Sequence, residues 1–301
     1  MKELLVIGDS VPWGQGLAEG HKFSTEISGN LNASVSMNAH SGATIGIRDR
    51  ANNSMASGEV PNSYPTIQEQ VESFNGDSSD VGWVLMNGGI NDVDIRNILN
   101  PFYFRLRDDT RKYCATDMLN LLGQVLRKFT AAQVMVIGYY PILSYQSDPA
   151  GVEAFFSGAL GVKFAPLFEP DLFRNGIVDH CLDFWKLSTQ CLQWAVEQAN
   201  TSAQTDRVTF VESGIGEANA VYGPDPLLWA LGIDDLLAPE DEVAGQRHAA
   251  CDASPIDLFE KLVCYRASAG HPNVAGAAKI AAQCRKVLGV APTAAVAGAG
   301  S

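Results

Sequence analysis

The sequence predicts an α/β domain built on a parallel sheet of about five strands. Two observations predict it. Short apolar runs alternate along the chain with segments of helical periodicity, and three of those runs stop at a glycine or a glycine turn. Strand–helix–strand connections within one sheet cross over right-handed, so consecutive strands run parallel and helices cover the faces.

The elements follow in order. Residues 4–7 (LLVI) form an unbroken apolar run closed by Gly8, the pattern of a strand buried on both faces. Residues 34–38 give a weaker second strand. Residues 66–74 have helical spacing and precede a third strand, 83–86 (WVLM), which ends at Asn87-Gly88-Gly89. In residues 115–129, Met118, Leu119, Leu122, Val125 and Leu126 recur on one helical face. Residues 134–137 (VMVI) form a fourth strand closed by Gly138. A longer helix over 182–200 leads to a fifth strand, 208–211 (VTFV), and an alanine-rich helix over about 272–288 ends the pattern. Residues 1–290 read as a single domain and 291–301 as a disordered tail of small residues.

Two stretches interrupt the alternation. Residues 94–110 hold Pro101, Phe102, Tyr103 and Phe104 in an irregular context. Residues 212–253 are long, acidic and punctuated by glycine and proline, so they read as a lid or wall of a site, the alternative being a surface excursion.

Composition narrows the partners. The chain has 301 residues and a formal net charge of -13, which repels phosphate backbones, so nucleic acid is not expected. The acidic cluster Asp234, Asp235, Glu240, Asp241 and Glu242 lacks the alternating spacing of a calcium loop. The cysteines form no C-x-x-C pair, so neither a metal nor another cofactor is expected. Six cysteines permit disulfides. Cys251 and Cys264 bracket a short segment and are the candidate pair, the alternative being buried free thiols in a reducing compartment. No apolar run is long enough to span a bilayer, and residues 4–7 are too short for the core of a signal peptide. The default expectation is therefore a cytoplasmic protein, or a secreted one if the chain is a mature form.

Ligands of open parallel sheets bind beyond the carboxyl ends of the strands. Residues able to do chemistry collect there. Ser10, in Gly8-Asp9-Ser10, directly follows the first strand. Gly42, in His40-Ser41-Gly42, follows the second, where a glycine lets backbone approach a ligand and present its N–H. Asn91, in Gly89-Ile90-Asn91-Asp92, follows the third, and its amide could donate to a developing oxyanion. His271, in Gly270-His271-Pro272-Asn273, stands before the last helix. Pro272 suits a first helical turn, and the helix end there would keep the imidazole neutral. Each block by itself is an ordinary turn or cap; their order along the chain is the signal.

These four blocks resemble those of the SGNH/GDSL hydrolases, over nearly the whole chain from Gly8 to Asn273. The resemblance implies a flavodoxin-like three-layer α/β/α sandwich. It implies Ser10 as nucleophile, His271 as general base, and an oxyanion hole of the Ser10 and Gly42 N–H groups with the Asn91 side chain. It also implies esters as substrates. One departure stands out: the family usually has an aspartate three residues before the histidine, and here Ser268 holds that position. Three substitutes remain open. These are the backbone carbonyl near Ser268, which is favoured, the Ser268 hydroxyl, or a carboxylate from elsewhere such as Asp252 or Asp257. Asp9 and Asp92 are expected to hold loop backbone rather than to act as acids.

Trp13, Tyr139, Tyr140 and Trp229 are candidate pocket walls, with His40 near Gly42, and together they suit an apolar acyl group. A carboxylic ester with a short or medium acyl chain is the expected substrate. A lipase or phospholipase, with transient contact to a lipid surface, or an acyltransferase would use the same residues. Metal-dependent phosphoester hydrolysis lacks its Asp-x-His ligands near the start of the chain. A non-catalytic binding protein finds support only in the missing aspartate.

Overall fold

The computed structural model describes residues 1–46, 59–60, 65–160, 170–231 and 241–290. Its elements in chain order are β1 (Glu3–Ile7), α1 (Ser10–Trp13), α2 (Phe23–Leu31), β2 (Ser34–Met37), α3 (Ile67–Glu72) and β3 (Val81–Met86). Then come α4 (Ile90–Val93), α5 (Ile95–Ile98), α6 (Leu106–Arg111), α7 (Met118–Lys128), β4 (Gln133–Ile137) and α8 (Pro149–Leu160). The chain closes with α9 (Pro170–Ala203), β5 (Val208–Val211), α10 (Ala244–Ala253), α11 (Leu258–Tyr265) and α12 (Val274–Leu288). The expected tail, residues 291–301, lies outside the described residues.

The five strands form one sheet in the order β2-β1-β3-β4-β5, and every pairing is parallel. Side chains of a strand alternate between faces. In β1, Leu4, Leu5, Val6 and Ile7 are all completely buried, so both faces of the sheet centre are covered. On one side α2 packs with α12; the other group runs α3, α7, α9. This is the three-layer sandwich expected. The edge strands are the weakly apolar ones: β2 is half exposed, and β5 is buried only at Val208 and Val211.

Four differences from the sequence reading have physical causes. First, α7 is the end of a longer helix: α6 runs through a π-helical turn, Lys112–Asp117, into it. The widened turn shifts the apolar phase and hides the continuity. Cys114 in that turn is buried, and its Sγ lies where a Cβ on Gly89 would be, 2.7 Å away; with φ +120° as well, position 89 has to be glycine. Second, α9 begins at Pro170, well before the apolar periodicity read over 182–200. Third, α12 begins at Val274, with Asn273 as its N-cap through a 3.0 Å bond from Gly276 N–H. Pro272 therefore precedes the helix, because an asparagine side chain caps free N–H groups and a proline does not. Fourth, residues 212–253 are not simply a loop, since α10 lies at their end.

Helices α10 and α11 pack on each other and are joined by the Cys251–Cys264 disulfide, with Cα atoms 6.0 Å apart. The bridge sits with Val60 in a small apolar cluster separate from the main core.

Candidate active site

Ser10 is the first residue of α1, at the carboxyl end of β1. Asp9 caps that helix, accepting from Val11 N–H at 2.9 Å. The Gln70 side-chain amide grips the backbone of Gly8 on both sides, accepting its N–H at 2.7 Å and donating to its carbonyl at 3.0 Å. The loop before the serine is thus held by hydrogen bonds on a buried scaffold. Gln70 was not legible as a site residue; a wholly buried glutamine is the signal that exposes it.

His271 comes to Ser10 from 261 residues further along the chain, and its Nε2 lies 2.7 Å from Ser10 Oγ. The loop carrying it is pinned on both sides. Gly270 N–H donates to the Trp229 carbonyl at 2.9 Å, and Trp229 N–H donates to the His271 carbonyl at 2.8 Å. His271 Nδ1 faces the Ser268 carbonyl at 3.2 Å. A carbonyl only accepts, so the proton sits on Nδ1. That leaves the Nε2 lone pair for the serine hydroxyl. Burial pushes the imidazole down to about 4, so it is neutral at ordinary pH. The direction is the one expected, but the cause is burial and not a helix end, since α12 starts three residues later.

Asn91 and Gly42 face the same place. Asn91 Nδ2 donates to the Ala43 carbonyl at 2.9 Å, and an amide nitrogen carries a second N–H. Gly42 has φ +82°, a conformation that favours glycine. Asp92 accepts from Ile45 N–H at 2.9 Å and Gly46 N–H at 3.0 Å, which ties α4 to the loop after β2. Asp9 is completely buried, and that burial pushes its carboxyl up to about 6. It accepts from the Tyr139 hydroxyl at 2.8 Å, and that hydroxyl accepts from Ile90 N–H at 3.1 Å. One tyrosine thereby locks the Ser10 and Asn91 loops together.

Ser10, Gly42, Asn91, His271, Tyr139 and Tyr140 all line one cavity of about 160 Å³. Its other walls include Ile142, Phe155, Leu231 and Val263, none of which stood out in the sequence. Three expected wall residues are not among the described residues that line it. Trp13 packs under the Lys22 ammonium, 4.4 Å from its ring centroid. His40 is buried with Nδ1 2.6 Å from the Ser41 carbonyl. Trp229 has its indole against Gly16, and its backbone N–H and carbonyl hold the His271 loop. Aromatic residues near a motif in sequence pack wherever their area is best buried, which need not be the cavity wall.

The structure also places each alternative to the missing aspartate. Asp252 accepts from the Tyr265 hydroxyl, and Asp257 caps α11 through Glu260 N–H at 2.8 Å, so neither reaches the imidazole. The Ser268 hydroxyl is turned away, donating to Asp241 Oδ2 at 2.6 Å. The carbonyl of Ser268 is what faces His271. Of the acidic cluster, Asp234, Asp235 and Glu240 lie outside the described residues; Asp241 pairs with Arg247 and Glu242 with His21. No group of metal-ligating side chains occurs among the described residues. No helix among them is long and apolar enough to cross a membrane.

No protein-family model and no curated protein sequence matches the chain. Solved structures do. Phospholipase A1 from Streptomyces albidoflavus aligns over 96% of this chain and 98% of its own, with a TM-score of 0.52 and 13% identity. An extracellular lipase from Streptomyces rimosus aligns over 96% and 99%, with a TM-score of 0.51 and 12% identity. A family two carbohydrate esterase from Clostridium thermocellum aligns over 96% of this chain and 65% of its own, with a TM-score of 0.47 and 16% identity. At such identities the likeness to the phospholipase and the lipase is one of fold. The chain has the α/β/α fold of the SGNH hydrolases, the fold its motif blocks lead one to expect.

Proposed function

We propose that the protein hydrolyses carboxylic esters through a covalent acyl-enzyme. Ser10 is the nucleophile and His271 its general base; the oxyanion is held by the N–H groups of Ser10 and Gly42 and the Asn91 amide. The observation that carries this reading is the 2.7 Å contact between Ser10 Oγ and a neutral, Nδ1-protonated His271 at an apolar cavity. A serine hydroxyl becomes a useful nucleophile only when a base takes its proton. Nε2 takes that proton as Oγ attacks the ester carbonyl. The imidazolium then gives it to the leaving alcohol, and a water molecule repeats the sequence on the acyl-enzyme. Each donor aimed at the tetrahedral oxygen contributes about 10²–10³ in turnover.

The cavity suits the acyl group. A cavity of roughly 150 Å³ takes up a benzene-sized molecule, so about six carbons fit here. Leu231 belongs to the 212–253 insertion, which on this reading is a wall of the acyl site. A second reading, an ester borne on a lipid surface, draws support from α11. Leu258 and Phe259 are exposed on the same helix whose Val263 lines the cavity. The Cys251–Cys264 disulfide favours work in an oxidising compartment.

Turnover of p-nitrophenyl esters from acetate to palmitate, by the wild type and by Ser10→Ala, tests both readings. The expected results are a loss of at least about 10³-fold in Ser10→Ala and a rate maximum near six acyl carbons. Equal activity of the two proteins sinks the serine mechanism. A maximum at palmitate that appears only with vesicles selects the lipid reading.

A further inference from the structure

In a Ser–His–Asp triad the carboxylate contacts the imidazole directly and stabilises the imidazolium. Here a neutral carbonyl has taken that place, and a carbonyl by itself supplies only a partial charge. The residue that owns it, Ser268, is completely buried and is not left to solvent on its other side. Its hydroxyl donates to Asp241 Oδ2 at 2.6 Å. Arg247 holds the Asp241 carboxylate in a two-pronged pair, Nη1 to Oδ1 at 3.1 Å and Nη2 to Oδ2 at 2.5 Å, with both side chains wholly inaccessible. We propose that Asp241, held by Arg247, is a positioning residue for His271, acting through the Ser268 hydroxyl that fixes the carbonyl facing Nδ1.

The rest of the network fits this role. Arg247 Nη1 also donates to Glu59 Oε2 at 3.0 Å, and Nε donates to the Tyr265 carbonyl at 3.1 Å. Glu59 accepts from Gly16 N–H at 2.9 Å and Gln15 Nε2 at 3.0 Å, in the turn that follows α1. Glu242 N–H donates to the Gly16 carbonyl at 3.1 Å, which fixes the backbone beside Asp241. One buried guanidinium therefore ties the segment carrying Ser10 to the loop carrying His271. Breaking a buried ion pair is costly, and such pairs add little stability over apolar packing, so this one is better explained by the geometry it imposes. The Arg247 charge disfavours an imidazolium at His271, and the Asp241 carboxylate lies directly against that charge.

The proposal rests on the ester hydrolase reading, and its test separates the two. Ser268→Ala removes the tether and keeps both the carbonyl and the ion pair. With the full chain and p-nitrophenyl butyrate, we expect kcat to fall about tenfold to a hundredfold at unchanged KM, the scale of one hydrogen bond to a charged group, with the melting temperature lowered by only a few degrees. Asp241→Asn should lose at least as much, and the double variant should lose no more than Asp241→Asn alone, because both changes cut one link. The downfield proton resonance expected for His271 Nδ1–H should be broader in Ser268→Ala than in the wild type, whether or not the protein turns over a given ester. A kcat within twofold of wild type together with an unaltered resonance overturns the proposal. Additive losses in the double variant overturn it too. Should the wild type cleave no ester, the resonance alone decides on the tether.

Discussion

At the scale of single residues, the site depends on which proton sits where. The Ser268 carbonyl forces the Nδ1–H tautomer on His271, and that frees Nε2 for Ser10. Burial of the imidazole, down to about 4, has a consequence in pH. On the proposed mechanism His271 is the general base and works when neutral, so kcat/KM should rise as pH increases through about 4 and be level above about 6. Initial rates between pH 3.5 and 8 check this, and a limb centred near the ordinary 6.5 contradicts it. Stability responds as well. Between about pH 4 and 6.5 the unfolded chain binds the His271 proton better, so this residue's contribution is lost as pH falls through that window. Asp9 acts in the opposite sense. Its folded carboxyl, raised to about 6, binds the proton better than an unfolded one, so lowering the pH from about 6 to 4 favours the fold.

At the scale of elements, α10 and α11 are the least expected part. They close one side of the cavity through Val263 and the backing of Ser268, yet their own apolar cluster is small. The disulfide compensates by shortening the loop available to the unfolded chain. A loop of this size, 13 residues, corresponds to about 3 kcal/mol in chain-entropy accounting. Replacing both cysteines by serine should lower the urea midpoint, speed amide exchange in α11 and raise KM for the ester. An unchanged midpoint and exchange pattern would show that the helix pair holds without the bridge. The short helix α1 shows the converse. Its glycine-flanked serine turn is legible, but its rigidity comes from Gln70 and Tyr139, which belong to other elements.

At the scale of the whole molecule, the sheet order does the assembling. With β2-β1-β3 adjacent, the loops after the first three strands lie side by side at one edge, and these carry Ser10, Gly42 and Asn91. Their spacing depends on a sheet core without voids. Leu85, wholly buried in β3, is a direct probe. Leu85→Ala should cost about 2–5 kcal/mol in chemical denaturation. A loss below about 1 kcal/mol would mean that the central sheet is not the stabilising core.

The strands were legible because a buried parallel strand needs an apolar run with a turn behind it, and that is a local property of residues 4–7, 83–86 and 134–137. The four motif blocks were legible because each must be a tight turn at a strand or helix end, which restricts residue type. So the sequence by itself determined the α/β class, the sheet's approximate size and the candidates Ser10, Gly42, Asn91 and His271. Tertiary structure alone decided what surrounds them. Trp13, His40 and Trp229 are not among the described residues that line the cavity, and Ile142, Phe155, Leu231 and Val263 are. Asp252 and Asp257 were set aside, and Asp241 came in from the far side of Ser268. Periodicity reports which face of an element is buried. It carries no information on which distant side chain will be the partner there, because that is settled by packing and by the need to pair every buried charge.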